Sequence, residues 1–514
     1  MAADLRALGG RDAYSDGTRG GREGRAVKRY DLVVVGAGPA GMAAAASAAR
    51  AGLRVALFDE GLQPGGQYHC RPGPGWADGL ASPDAPAAVR RFLAANVEYH
   101  PRSIVWGIYG RRLLAVCQGE TSDLVEAEQL VAATGARERT VAFPGWTLPG
   151  VLMAGGALAL AKGQRIPPAR RVVVAGCGPF LLPVARELLR VGAIIQGVYD
   201  VTLRREWLPL LRRAWRQPWV LGDALGYYGS LLGARVPLEH GWVITAARGE
   251  GRVEEVVLAR ADDAWRPQPG SERTLATDAI CLGYGFVPAT ELTRLLGCDH
   301  GFDATADGPA CLHDERMETS VPGVYVAGEA AGIGGARVAA LQGEIAGIAA
   351  ARKAGAISAP AAAARLARLQ RRLQRMQPFV AALSRLAAPR PGLFQLATEE
   401  TVICRCEEIT LGEFRRARPS WPASANLMKL RTRTGMGMCQ GRVCASLIAH
   451  LLPGTEPQHS EVFRVRPPIK PVPIRAILDI PPASLIAEQA PRHSGGPFNR
   501  QDATEEQDAK AARG

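Results

Sequence analysis

Four cysteines gather near the C-terminal end of the chain: Cys404-Arg-Cys406, then 32 residues, then Cys439-Gln-Gly-Arg-Val-Cys444. Two close thiolate pairs can cap opposite ends of a small inorganic core, and four thiolates suit a [2Fe–2S] cluster or a structural zinc ion. Zinc ribbons use C-x-x-C knuckles, so the C-x-C spacing favours iron and sulfide. The glycines of TGMGMCQGRVC (434–444) let backbone N–H groups turn toward sulfur, and Lys429, Arg431 and Arg433 offset negative charge. Between the pairs, Thr410-Leu-Gly-Glu413 is a capping box that starts a short helix. The other six cysteines (Cys70, Cys117, Cys177, Cys281, Cys298 and Cys311) are scattered singly. A lone cysteine is more often a small buried hydrophobe than a reactive thiol. No C-x-x-C occurs anywhere, which argues against a dithiol–disulfide exchange centre.

The second chemistry-bearing set is glycine. Gly36, Gly38 and Gly41, with Pro39 and Ala40 between them, form G-x-G-x-x-G between a β-branched run and an Ala-rich helical run. Gly36 permits the tight turn, Gly38 lets backbone approach a pyrophosphate, and Gly41 allows close helix–strand packing. Asp59, with Glu60 as the alternative, ends the next strand where a ribose hydroxyl would be held. Three later segments point to FAD: PGGQ (64–67, with Gly66 and Gln67), LVAATGARER (130–139, with Thr134 and Gly135) and VYVAGEAAG (324–332, with Gly328 and Glu329). In this order they resemble the segments that hold FAD in flavoproteins of the two-dinucleotide-binding type, with Glu329 in place of the usual Asp.

A second turn keeps Gly176 and Gly178 but has Leu181 in the third position, followed by Asp200 at a strand end. It reads either as an adenine-nucleotide site (ATP, ADP or NAD(P)) or as a Rossmann scaffold without a ligand. Arg137, His69 and Arg337 are the candidates for a base or an anion contact. No carboxylate clamp stands beside the flavin segments, so the catalytic residues are not assigned and the chain reads as an electron relay.

These residues need elements to position them. Residues 30–59 and 170–200 share a strand–turn–helix–strand grammar, and 321–347 repeats strand–turn–helix. The expected fold is α/β: two Rossmann-like domains plus a small C-terminal α-helical four-cysteine module. The boundaries follow from composition and pattern. Residues 1–29 are a disordered basic tail without a secretory h-region; 30–150 and 271–355 form a discontinuous FAD-binding domain around a second nucleotide-binding-like domain at 151–270. Residues 356–396 are a helical linker, 397–465 the iron–sulfur module, 466–487 a Pro-rich extended segment and 488–514 a disordered tail.

The chain has 514 residues, too many for one core, with 47% hydrophobic and 22% charged residues, as in an ordinary globular protein. No run of about 18 apolar residues occurs, so no transmembrane segment is expected. The net charge of +13 comes from scattered arginines, a solvated background and not a nucleic-acid footprint. The cytoplasm is the expected compartment, with peripheral attachment to the inner face of the membrane left open.

GAGPAG, PGGQ, ATGARER, GCGPFLL, VYVAGEAAG, CRCEEIT, GMGMCQGRVC and PPIKPVP occur in this order. Over roughly residues 30–480 the chain resembles the flavin/iron–sulfur α (A-type) subunits of bacterial multi-subunit amino-acid dehydrogenases. That family includes the A-type subunits of opine oxidases, the B-type subunit of hydrogen cyanide synthase and the α subunits of proline and hydroxyproline dehydrogenases. The resemblance implies FAD on Gly36, Gly38, Gly41, Asp59, Gly66, Gln67 and Glu329. It implies a [2Fe–2S] cluster on Cys404, Cys406, Cys439 and Cys444, in a module like bacterioferritin-associated ferredoxin. The implied partner is a glycine-oxidase- or D-amino-acid-dehydrogenase-like FAD β subunit that oxidises the substrate, joined in some complexes by a small ferredoxin-like subunit and then an electron acceptor. Two other functions compete: a self-contained NAD(P)H-dependent flavin oxidoreductase, and a zinc-stabilised nucleotide-binding scaffold.

Overall fold

The computed structural model describes residues 27–72, 85–110, 112–215, 217–418, 424–452 and 463–480. The first strand, Lys28–Val35, is a β-branched run whose inner residues are buried. It pairs in parallel with Val55–Phe58 on one side and with Thr121–Ala132 on the other. Val97–His100 extends the first edge, and Val324–Val326 adds to the far end of Thr121–Ala132. The segment 321–347 thus returns the chain to the first sheet. An antiparallel meander of Ser103–Tyr109 and Leu113–Gln118 completes it. The basic tail was expected to run to residue 29, but Lys28 and Arg29 already belong to the strand. Their charges lie against Glu98 and Glu126, which explains how a basic pair can start a central strand. Residues 1–26 and 488–514 of the expected tails fall outside the described residues.

The second sheet is wholly parallel, in the order Leu238–His240, Ile194–Asp200, Arg171–Gly176, Ala279–Gly283, Val151–Met153. A three-stranded antiparallel sheet, Trp242–Arg248, Glu255–Arg260 and Arg273–Ala276, packs beside it. Arg273–Ala276 and Ala279–Gly283 therefore belong to the second unit, so the chain leaves it after Gly283 and not at 271. The crossing is a two-stranded ladder, Ala136–Glu138 against Phe286–Pro288.

Helix Ala336–Lys353 packs on helix Pro39–Arg50, and helix Ala359–Ala387 covers the pair. The cysteine module follows, with a short ladder, Val402–Cys404 with Ile409–Thr410, and helices Leu411–Arg416, Ala425–Thr432 and Ala445–Leu451. The capping box is present: the Thr410 hydroxyl accepts from Glu413 N–H, and the Glu413 carboxylate accepts from Thr410 N–H. Buried residues of the module (Ile403, Phe414, Met428, Ile448) share one continuous core with Val141, Trp146, Val243 and Trp265 of the second unit. The Pro-rich segment is not extended throughout: after Pro473, Ile474–Leu478 closes into a short helix that buries Ala476 against Trp106 and Cys117. Among the described residues no helix is long and apolar enough to cross a membrane.

Candidate functional site: a glycine cradle and a four-thiol cluster

At the first glycine turn, steric arithmetic fixes the residue types. Gly36 has φ +106°, and a Cβ there would lie 2.3 Å from the Ala133 carbonyl oxygen. A Cβ on Gly41 would lie 1.7 Å from the Gly36 carbonyl oxygen. Gly38, by contrast, has nothing within 4 Å and is the N-cap of helix Pro39–Arg50, with no side chain capping the helix. Pro39 sits at the helix start, where its missing N–H costs nothing, and Ala40 is buried. The result is an open, positively polarised helix N-terminus suited to a phosphate group.

The other expected segments converge on this turn. Gly65 N–H bonds the Ala37 carbonyl, and a Cβ on Gly66 would reach the Gly38 Cα at 2.9 Å, so the GGQ loop lies over the turn with Gln67 exposed. Gly328 (φ +75°) backs onto Ala40, and its N–H is held by the Gln342 side chain. Thr134 donates its hydroxyl to the Ala289 carbonyl at 2.8 Å, and Gly135 turns beside it with φ +76°.

The acidic residues are arranged differently from the simplest expectation. The Asp59 carboxylate accepts Ala37 N–H at 2.6 Å and Gly61 N–H at 2.8 Å, so it braces the glycine turn; burial still pushes its pKa up. Glu60 is turned to the surface and pairs with Lys470 at 2.7 Å. Glu329 accepts Gly335 N–H at 2.7 Å, using the length of its side chain to cap the loop before helix Ala336–Lys353; burial raises its pKa as well.

At the second turn, Gly176 (φ +155°) packs on the Gly283 carbonyl and Leu181 fills the space beside Gly283. Asp200 is 1% exposed. Its carboxylate accepts from Gly178 N–H, Thr202 N–H, the Thr202 hydroxyl and the Trp207 indole, with His240 at 3.3 Å. Gly178 also lies against Ala387, at the end of the linker helix. The acid is satisfied from inside the protein. The remaining candidates divide: Arg337 stacks on Trp219, His69 is buried beside Tyr68, and Arg137 pairs with Glu291 at 2.6 Å.

In the cysteine module the thiols contact across the two sequence pairs. Cys404 is hydrogen-bonded to Cys444, and Cys406 to Cys439. The Cys444 thiol, helped by the N–H groups of Gly435, Glu407 and Cys406, holds Cys404 down at about 6 against the opposing effect of burial; Cys444 is correspondingly pushed up. Cys404 and Cys444 are buried, Cys439 is half-buried and Cys406 exposed. A Cβ on Gly437 would strike the Cys406 Cβ at 2.3 Å, so only glycine lets that loop close over the thiol. Among the described residues no three His, Cys, Asp or Glu side chains already stand in metal-binding geometry. The donor chemistry nevertheless fits a thiolate-ligated core: four sulfurs in two contacting pairs, with backbone N–H groups directed at one of them.

Several residues that tie these sites together carried no signal in the sequence. Glu291 bonds Arg137, the residue two beyond Gly135, and lies 3.6 Å from Arg442, whose guanidinium also bonds the Cys439 carbonyl at 3.2 Å. Burial raises the Glu291 pKa, but the two arginines together bring it below the usual carboxylate range. Arg139, fully buried, bonds the Tyr284 and Ala306 carbonyls, and His450 of the module bonds Asp307 next to it. Each pair joins residues far apart in the chain, so no local spacing announces it. Cys298 and Cys311, read as isolated, are hydrogen-bonded to each other: that bond holds Cys298 down at about 7 and pushes Cys311 up.

A family model for the pyridine nucleotide-disulphide oxidoreductases matches residues 30–355. The chain is 35% identical over 462 residues to hydrogen cyanide synthase subunit HcnB of Pseudomonas aeruginosa, covering 87% of this chain and 98% of that one. The A-type subunit of the Rhizobium meliloti opine oxidase is 34% identical over 478 residues, 88% of each chain. The crystal structure of L-proline dehydrogenase from P. horikoshii shares the fold, with a TM-score of 0.63 and 21% identity over 87% of this chain and 80% of that one. The chain therefore belongs to the pyridine nucleotide-disulphide oxidoreductase family and, like the first two relatives, is an oxidoreductase subunit.

Proposed function

We propose that this chain is the FAD- and [2Fe–2S]-carrying electron-transfer subunit of a multi-subunit amino-acid, opine or (hydroxy)proline dehydrogenase, relaying electrons from a substrate-oxidising flavoprotein partner. The observation that carries the reading is the pairing, in one chain, of an open glycine cradle at residues 36–41 with four thiols held by a glycine loop at residues 434–444. FAD accepts electrons in pairs and a [2Fe–2S] cluster passes them singly, so the two together convert a hydride-level oxidation into one-electron transfer.

In this reading Gly36, Gly38 and Gly41 with the helix N-terminus hold the pyrophosphate, Asp59 keeps the turn in shape, and the loops at Gly66–Gln67, Thr134–Gly135 and Gly328–Glu329 enclose the rest of the flavin. Cys404, Cys406, Cys439 and Cys444 ligate the cluster. Exposed Cys406 and Met438 mark the edge from which an acceptor is reached. Two observations favour a relay over a self-contained NAD(P)H reductase: Asp200 is enclosed by Thr202, Trp207 and His240, and Leu181 occupies the third glycine position.

The test is the visible spectrum of protein purified without oxygen, with iron, sulfide and zinc assayed on the same sample. Flavin bands over a broad shoulder that bleaches with dithionite, at about two irons and two sulfides per chain, are the expected result. Flavin with one zinc and no iron would reduce the module to a structural clip. Fast flavin bleaching by NADH would move the function to the reductase.

A further inference from the structure

The three cations that the sequence sets beside the four cysteines are each engaged with another group. Lys429 lies over the Phe463 ring at 5.6 Å, Arg431 donates to the Ala417 carbonyl, and Arg433, 70% exposed, pairs with Glu407 at 2.7 Å. Arg442 is placed differently. It lies within the Cys439–Cys444 segment, its side chain is only 19% exposed, and its Nη1 donates to the Cys439 carbonyl at 3.2 Å and to the Gln440 side-chain oxygen at 3.1 Å. Its Nη2 bonds the Ile469 carbonyl, so one side chain ties the cysteine loop to the segment that follows the module. Its Nε faces Glu291 Oε1 at 3.6 Å, and that same oxygen accepts from Arg137 at 2.6 Å. One carboxylate thus stands between two arginines, all three groups part-buried.

A [2Fe–2S] core on four thiolates is anionic and takes on one more negative charge when it is reduced. A fixed cation nearby therefore favours the reduced form, and a fixed anion opposes it. Solvent and salt screen exposed charges most, so Arg442 and Glu291 act on the loop more strongly than the exposed Arg433 can.

Resting on the cluster ligation proposed above, we infer that Arg442 sets the reduction potential of the cluster, raising it through its charge, and that Glu291 moderates that effect while holding the guanidinium against the Cys439 carbonyl. Both are positioning residues, acting from outside the set of four ligands.

Redox titration of the full-length chain purified without oxygen tests this. The readout is the electron paramagnetic resonance signal of the reduced cluster, with iron and zinc assayed on every sample. Arg442→Gln titrates at a more negative potential than wild type. Arg442→Lys, which keeps the charge and loses the forked donor, stays close to wild type. Glu291→Gln titrates at a more positive potential, and Arg433→Gln falls by less than Arg442→Gln. If Arg442→Gln fails to hold iron, Glu291→Gln and Arg442→Lys carry the test, since both leave a cation at position 442. Iron-loaded variants with unmoved potentials would overturn the inference and leave the cluster standing. So would a Glu291→Gln shift to more negative values, or an Arg433→Gln drop as large as that of Arg442→Gln. Zinc without iron in the wild type would overturn the proposed cluster itself, and this inference with it.

Discussion

Glu138 stands three residues beyond Gly135 of the A-T-G segment, with one oxygen accepting Gly155 N–H at 2.9 Å and the other, Oε1, without a partner. Burial outweighs the surrounding N–H donors and pushes its pKa up to about 7. The folded state therefore keeps a proton that the unfolded chain releases near the ordinary glutamate value, and stability falls as pH rises between those two values, then levels off above the higher one. Glu138→Gln, which keeps the acceptor and removes the ionisation, should raise stability at pH 8 by on the order of 2 kcal/mol. The gain should shrink toward pH 5; denaturant midpoints at the two pH values measure it. An equal effect at both would mean that the carboxyl is solvated. Individual residues divide sharply in how far they can be read ahead of the fold. Gly36, Gly41 and the four cysteines were legible because they stand in short local patterns, although what excludes a side chain at Gly36 is the distant Ala133 carbonyl. Glu138, Glu291 and Arg139 were not, since each acquires its role from a partner brought in by the topology. Asp200 was legible as a strand-end acid, but its enclosure depends on Trp207 and His240, which no nucleotide motif specifies.

Among elements, helices Pro39–Arg50 and Ala336–Lys353 pack backbone to backbone. A Cβ on Gly343 would lie 2.0 Å from the Ala40 carbonyl oxygen, and one on Gly347 2.4 Å from that of Ala44. The first helix follows the Gly36–Gly41 turn and the second follows the Gly328–Glu329 loop, so their spacing sets how these two glycine segments meet. Gly343→Ala must push the helices apart; a loss of about 2–3 kcal/mol is expected, with weaker flavin retention after gel filtration. Thermal unfolding with a flavin assay checks this, and an unchanged melting temperature would show that the helices can slide without loss. The strand–turn–helix units were readable from β-branched runs, glycine punctuation and Ala-rich periodicity. The late return at Gly283 and the helix Ile474–Leu478 were not. The former is decided by which sheet the strands at 273–283 join, the latter by a pocket between Trp106 and Cys117 that receives Ala476.

At the scale of the whole molecule, the cysteine module is held on both sides. Ahead of it, Arg390 is tied to Glu206 and to the Asp263 carbonyl, while the Trp146 indole bonds the Val402 carbonyl at 2.6 Å. Beyond it, Phe463 covers Gly435 and Gly441, Ile469 N–H bonds the Trp106 carbonyl at 2.7 Å, and Asp479 receives Ser122 N–H. A carrier domain on a flexible leash must diffuse between its donor and acceptor positions, and its turnover slows as the solvent thickens. This one is moored fore and aft. If the chain carries the flavin and cluster proposed above, electron passage between them should therefore be indifferent to friction: flash-reduction rates in 40% glycerol should match those in buffer. Truncation before Phe463 should free the after mooring and make the rate fall with viscosity. What the draped tail confers, on this view, is a fixed tunnelling gap.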